Sequence, residues 1–241
     1  MLRDSPTLVA RGRGMIVANI VASSVGYNAL RATPVLAQID DLASQALGWV
    51  QPIEFSIARS DAEREVAYRL RCQAVIDHGW MQPADLPDGR EHDAYDDRAV
   101  HILARRGDAP VATARLVFPQ NGLRLPTEEA FDLTIEPRGQ VVDAGRFVVA
   151  RESGSIKHRL LAAMLARGWL EVRARGYSIV CAAFASSAML RVYQRMGLRM
   201  RTLGPARRYW GQDRYPILFD VPGSTSALIG RWLSGTTADQ A

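Results

Sequence analysis

Six charged residues could do chemistry together: Arg71, Glu91, Asp93, Asp96, Arg115 and Arg146. The three carboxylates fall within one six-residue stretch, Glu91-His92-Asp93-Ala94-Tyr95-Asp96. At that density they repel one another unless cations answer them. Arginine is the natural answer, because its planar fork matches a carboxylate with two parallel N–H donors. Trp80 lies between Arg71 and the acidic stretch. The cluster admits two uses: an ion-pair network fixing a loop to a helix, or an acidic pocket that holds a cationic acceptor and poises it for attack. Both can hold at once.

A second constellation is Asp143-Ala144-Gly145-Arg146-Phe147-Val148-Val149, which runs on into Arg151-Glu152-Ser153-Gly154-Ser155-Ile156. A strand leading through a glycine-containing loop into a helix presents free backbone N–H groups and the positive end of the helix dipole. Such a place suits the phosphates of a pantetheine-bearing carrier, with Arg151, Gly154, Lys157 and Arg159 as the binding candidates. Lys157, His158 and Arg159 can equally form a solvated helical face. A third constellation begins at Ser186 and places Met189, Leu190, Tyr193 and Met196 at helical spacing. Core packing explains that spacing. Tyr193 could instead offer its O–H to a leaving thiolate, a role that needs an acid near the sulfur.

The elements that must position these groups follow from local pattern. Residues 1–14 are polar and basic, and from Met15 to Val50 the pattern is helical, divided by Pro34, with an apolar stripe at Val35, Ile39, Leu42 and Leu47. Gln51-Pro52 reads as a boundary, after which Ile53, Phe55 and Ile57 alternate as in a half-buried strand. Ser60 and Glu63 form a capping box for a helix to about His78, ended by Gly79. A polar loop leads to a hairpin of Val100–Arg105 and Val111–Phe118, then a short helix at Thr127–Leu133. The rest predicts a strand at Val141–Ala150, a long amphipathic helix at Ser155–Arg175, a buried strand at Ile179–Phe184, a helix at Ser186–Arg195 and one or two antiparallel strands up to Phe219. This order predicts an α/β (α+β) fold with a mixed sheet rather than a doubly wound parallel one. Three segments are expected: an N-terminal helical extension (1–50), a catalytic domain (51–222) and a C-terminal tail (223–241). No glycine triplet opens a helix after a strand, which excludes a dinucleotide fold.

Composition narrows the function classes. With 241 residues and 48% hydrophobic content, the chain can bury one well-packed core plus an appendage. No apolar run reaches the roughly eighteen residues of a membrane span. Met15–Ala32 comes nearest, and its polar residues weaken a signal-peptide reading. Cys72 and Cys181 are far apart and show no metal-type spacing, as expected of reduced thiols in a cytoplasmic protein. The net charge of +5 is almost wholly arginine, since Lys157 is the one lysine. Arginine favours acidic or phosphorylated partners. Because the arginines are spread along the chain among Asp and Glu, a nucleic-acid-binding face is not expected.

As an ordered set, these residues resemble the GNAT-fold N-acyltransferases, and within them the branch of acyl-homoserine-lactone synthases and N-acyl amino acid synthases. The resemblance spans Ile53 to Phe219. Lactone synthases carry an arginine ahead of Gly-Trp, then Glu-x-Asp-x-x-Asp, an arginine on a hairpin strand, and Glu-x-x-Arg-Phe. Here the same order reads Arg71, Gly79-Trp80, Glu91/Asp93/Asp96, Arg115 and Asp143-Ala144-Gly145-Arg146-Phe147. Asp143 replaces the family glutamate, and Val75 replaces an aromatic residue. Tyr95-Asp96 with His101, Arg115 to Pro119, Leu125 to Glu128, Leu203-Gly204-Pro205 and Tyr209-Trp210-Gly211 look more like the N-acyl amino acid synthases and exosortase-associated acyltransferases.

The resemblance implies a GNAT-like, mostly antiparallel twisted sheet flanked by helices. It implies an N-acyltransferase moving a fatty acyl group from an acyl carrier protein or CoA thioester to the amino group of an amino acid or related small amine. The alternative is an acyl-homoserine-lactone synthase using S-adenosylmethionine. No permanently bound cofactor or metal is expected, and Ile156 at the end of the pyrophosphate loop favours acyl carrier protein over free CoA. The strand at Val141–Val149 would splay from Ile179–Phe184 and leave a slot for the pantetheine arm, with N–H groups near Phe147 and Val148 as an oxyanion hole. Glu91 or Asp143 would hold the water that takes the amine proton. Asp93 and Asp96 would hold Arg71 and Arg115, which would bind the acceptor carboxylate beside Trp80, Ser186 and Tyr193. The acyl tail would lie in an apolar tunnel between the sheet and the Ser155–Arg175 helix. Residues 1–50 have three candidate roles: a lid on that tunnel, a dimer element or a peripheral membrane contact.

Overall fold

A computed structural model describes residues 34–224, except Pro87 and Trp210. The helical segment expected before Pro34 and the tail after Ser224 lie outside the described residues. Helix α1 (Pro34–Gly48) starts at a proline, whose missing N–H removes no bond in a first turn. It buries Leu36, Ile39, Ala43 and Ala46. The stripe is thus rotated from the expected one toward two alanines, which permit a close approach to another helix. Strand β1 (Ile53–Ile57) leads to α2 (Asp61–Asp77), where the Ser60 hydroxyl accepts from the Glu63 N–H and the Glu63 carboxylate accepts from the Ser60 N–H. The hairpin β2 (Ala99–Arg106) and β3 (Ala109–Val117) turns at Gly107, whose φ is 59°.

After α3 (Pro126–Phe131) come β4 (Val141–Val149), a 3-10 stretch at Arg151–Ile156, and α4 (Lys157–Ala174). The chain closes with β5 (Ile179–Ala185), α5 (Ser187–Arg195), β6 (Met200–Thr202), β7 (Arg207–Tyr209) and β8 (Gln212–Phe219). The strand order is β1-β2-β3-β4-β5-β8-β6, with β7 beside β8. Among the described residues, only the β4–β5 pair is parallel. The expected mixed, mostly antiparallel sheet flanked by helices is therefore found.

Helices α1 and α4 cover one face. Leu116, Val142 and Ala144 of the sheet share a core there with Leu160, Ala163 and Met164 of α4 and Leu36 and Ile39 of α1. Asp40 of α1 accepts from the Trp169 indole N–H at 2.7 Å and from Arg173 Nε at 3.2 Å, tying the two helices together. Gln51-Pro52 follows α1, and the core runs across that point without a break. On the opposite face, Val117, Val141, Cys181 and Leu218 pack against Leu125 and Phe131 at α3, and Leu103 packs against Ala67 of α2.

Strand β4 is irregular in two ways. Its ladder with β5 covers only Val141–Asp143 against Ile179–Cys181, although both strands run on, to Val149 and Ala185. Toward β3, Thr113 pairs with Val148 and Arg115 with Gly145, which leaves Arg146 and Phe147 together opposite Ala114. Two residues against one is a β-bulge. Arg146 takes a φ of 55°, in the left-handed region where a Cβ costs about 1–2 kcal/mol. The extra residue resets the alternation. Val142 and Ala144 face the α4 side, as do Phe147 and Val149 beyond the bulge, so Arg146 is turned to the other face.

Candidate active site

Three arginines from three elements converge on the acidic stretch. Arg71 of α2 donates from Nη1 and Nη2 to Asp96 at 2.8 and 2.9 Å, and from Nε to Glu91 at 2.5 Å. Arg115 of β3 donates to Asp93 at 2.6 Å and to Asp96 at 3.0 Å. Arg146, aimed by the bulge, donates from Nε to Glu91 at 3.0 Å and from Nη2 to Asp93 at 3.1 Å. The acidic stretch organises itself locally as well. The Asp93 N–H reaches Asp96 at 2.7 Å, and the Tyr95 N–H reaches the Asp93 side chain at 2.9 Å. Burial alone would raise the Asp96 carboxyl, but Arg71, Arg115 and the Asp93 N–H overcome it and hold it well below the usual carboxylate range. His101 lies beside Asp96 with its Nε2 3.2 Å from the Asp96 carbonyl, and burial lowers its pKa.

This geometry corrects two expectations. Arg71 has Nε, Nη1 and Nη2 all engaged by Glu91 and Asp96, and Arg115 is 2% exposed and does not line the cavity described below. Both hold the acidic stretch in place. Asp143 also departs from its expected place beside Glu91. It faces α3, where its carboxylate accepts from the Thr127 N–H at 2.7 Å and the Thr127 hydroxyl at 2.6 Å. Complete burial raises its pKa. Asp143 anchors α3 to the sheet and lies outside the cavity.

A cavity of about 310 Å³ occupies the place where β4 leaves β5. One wall is Ala144 to Val148 with Glu91 and Arg71, and the other is Ala185, Ser186, Met189, Val192 and Tyr193. Ser186 is the N-cap of α5 and accepts from the Met189 N–H at 3.3 Å. Burial pushes the Tyr193 phenol up to about 12, so its O–H stays protonated at neutral pH. Trp80 also lines the cavity, stacked on His78 with ring centroids 4.6 Å apart.

Arg214 of β8 joins them, its guanidinium carbon 4.5 Å from the Trp80 ring centroid. Sequence reasoning missed this residue. The signal was present: in the alternation of β8, Arg214 shares a face with Leu218, which is buried, and an arginine on an inward face calls for a function.

On the other face a second cavity, about 160 Å³, is apolar. Ile39, Ala43, Ala46 and Trp49 line it from α1 and its end, Ala162, Ala166, Gly168 and Trp169 from α4, and Leu116 and Val180 from the sheet. Ala144 and Phe147 line both cavities, so β4 forms a wall of each. Of the three roles considered for residues 1–50, the place of α1 at this cavity accords with the lid on the tail tunnel.

Of the carrier candidates, Arg151 and Lys157 line a third, polar cavity of about 250 Å³ with Gln73, Asp77 and Glu152. Gly154 has a φ of 55°, and Arg159 is exposed on the first turn of α4, outside that cavity. That turn carries no acidic residue and no side-chain cap, and the Lys157 N–H is bonded to the Gly154 carbonyl of the preceding 3-10 stretch. Cys72 and Cys181 are buried free thiols. Among the described residues, no group of His, Cys, Asp or Glu could hold a metal ion, and no helix is long and apolar enough to cross a membrane.

The same fold occurs in the crystal structure of the acyl-homoserine-lactone synthase LasI, at 14% identity and a TM-score of 0.58, over 73% of this chain and 94% of that one. It also occurs in BjaI, a CoA-dependent acyl-homoserine-lactone synthase solved with SAM and isopentyl-CoA (20% identity, TM-score 0.57, 72% and 82% covered). A third example is FeeM, an N-acyl amino acid synthase from uncultured soil microbes (12% identity, TM-score 0.50, 69% and 88% covered). No curated protein sequence matches the chain. Fold and family together make this protein a GNAT-like acyltransferase. Residues 66–219 match the family model described as N-acyl amino acid synthase FeeM, and the chain belongs to that family.

Proposed function

We propose that this enzyme transfers a fatty acyl group from the thioester of an acyl carrier protein or CoA to the amino group of an amino acid or closely related amine. The observation that carries the reading is that an apolar and a polar cavity share Ala144 and Phe147 as wall residues, where β4 parts from β5. The tail occupies the apolar cavity, where each buried methylene contributes about 0.8 kcal/mol. The pantetheine arm runs through the slot between β4 and β5, with its phosphate near Arg151, Gly154, Lys157 and Arg159. The acceptor enters the polar cavity.

Backbone N–H groups at Phe147 and Val148 polarise the thioester carbonyl, a contribution of about 3–4 kcal/mol per donor in comparable oxyanion holes. The amine lone pair attacks the carbonyl carbon, the C–S bond breaks, and the amine proton passes to Glu91 directly or through one water. Glu91 is the carboxylate lining the cavity, and Arg71 and Arg146 hold it in place. The Tyr193 O–H donates a hydrogen bond to the departing thiolate, which takes up the proton that Glu91 accepted, so both side chains return to their starting states. Asp93, Asp96 and Arg115 keep Glu91 and Arg146 in register, while Trp80 and Ser186 shape the acceptor side. The catalytic unit spans 51–222, and residues 34–48 supply one wall of the tail cavity.

The test is mass spectrometry of lipid extracts from cells expressing this chain beside an Arg146→Ala control. A new N-acyl amino acid formed only by the unaltered protein supports the reading. An acyl-homoserine lactone replaces the acceptor with S-adenosylmethionine, and the absence of any acylated amine overturns the proposal.

A further inference from the structure

We infer that Arg214 receives the carboxylate of the acceptor, so that the enzyme selects free α-amino acids over neutral amines. This inference rests on the acyl-transfer reading above. Three guanidiniums line the polar cavity, those of Arg71, Arg146 and Arg214, against one carboxylate, that of Glu91. Such a lining favours an anionic occupant. Arg71 and Arg146 are forked onto Glu91, Asp93 and Asp96, which fits them to hold the acidic stretch rather than the acceptor.

Arg214 is differently placed. It stands on β8, its guanidinium lies over the face of Trp80, and it is 8% exposed. A guanidinium carbon 4.5 Å from the ring centroid is within cation–π reach, and the planar fork of an arginine matches a carboxylate with two parallel bonds. Burial, with Arg146 nearby, also lowers the pKa of Arg214 against a smaller opposing effect of Tyr209. An anion arriving between the two arginines relieves their repulsion. In an α-amino acid the amine and carboxylate are separated by a single carbon. A carboxylate on Arg214 therefore keeps the amine in the cavity that Glu91 and Phe147 also line.

The experiment compares an amino acid with its α-carboxamide as acceptors, for the wild type and for Arg214→Met and Arg214→Lys, at one acyl donor. The wild type should favour the free acid by about 100-fold in kcat/KM, the discrimination expected of a desolvated charge pair. In R214M the preference should fall below about fivefold, mainly through the KM of the amino acid, while the KM of the acyl donor is unchanged. R214K, which keeps a charge but not the fork, should fall between. An R214M enzyme that keeps the full preference overturns the inference. So does a wild type that acylates acid and carboxamide equally, a result that leaves the acyl-transfer reading standing. A wild type that acylates no amine sinks that reading itself. If R214M turns over neither acceptor, calorimetric binding of the two acceptors to it decides: retained discrimination overturns the inference, and lost discrimination with an unchanged melting temperature supports it.

Discussion

Asp96→Asn removes one charge from the site while keeping its volume, and its cost can be worked from the contacts. Asp96 accepts four hydrogen bonds, two from Arg71, one from Arg115 and one from the Asp93 N–H. An asparagine can satisfy at most one side of that arrangement, because its NH₂ group would face a guanidinium N–H. Removing one partner of a buried ion pair costs about 3–5 kcal/mol. Arg71 keeps Glu91 and Arg115 keeps Asp93, which sets the expectation at the low end, about 3 kcal/mol. For a chain of this length that is a fall of roughly 6–12 °C in Tm.

The loss should also depend on pH. The folded-state pKa of Asp96 is depressed below its unfolded value of about 3.9. The stability contributed by this charge is therefore fully present above that value and disappears as pH falls through it toward the folded pKa. Urea unfolding of wild type and D96N, at pH 7 and in steps down to about pH 2, measures both effects. The gap between the two proteins should be widest at neutral pH and should narrow below about pH 4. A gap smaller than about 1 kcal/mol at pH 7, or one that does not change with pH, would refute the idea that Asp96 is the electrostatic hub.

Arg146→Gly and Arg146→Ala both remove the guanidinium and should both lose at least about 100-fold in kcat/KM. Because the φ of 55° suits glycine, R146G should nevertheless unfold about 1 kcal/mol later than R146A; an alanine variant of equal or greater stability would show that the bulge carries no strain. Ala43→Leu adds bulk to a cavity-lining position of α1. In competition assays across a series of acyl donors it should shift the optimum toward shorter chains, with about fourfold in kcat/KM for each methylene that no longer fits. Ser60→Ala removes the helix cap of α2 far from both cavities, so it should cost about 1 kcal/mol in unfolding and leave turnover unchanged, whereas a loss of turnover without a loss of stability would contradict this placement.

Much of the architecture could be read locally. The Ser60–Glu63 box, and the glycines at 79, 176 and 197, all at positive φ, mark helix ends by short-range chemistry, and the turn residues Gly107 to Pro110 marked the hairpin. The rest depended on partners distant in sequence. The bulge at Arg146 has no local signature, since arginine is not a residue of the left-handed region; it is imposed by the register of β4 on β3. The acidic stretch and its arginines were visible as complementary charges, yet a sequence does not say which fork is already engaged, so Arg71 and Arg115 were given to the acceptor. Helix α1 showed a stripe without showing its partner, which lies on α4 and includes Trp169 and Arg173. Arg214 was obscured because the bounds of β8, and with them the face on which an arginine would fall, were not clear from its short apolar run.

The apolar cavity has one wall from α1, outside the stretch that defines the family, and another from α4, within it. On the proposed reading, one wall of the ruler that measures the tail is written apart from the tools that join it to an amine. A lineage could therefore exchange the helix at 34–48 and change its lipid product without touching Arg146 or Glu91. The length of the tail would then be reset by refitting one wall of its cavity, while the machinery across the sheet stays still.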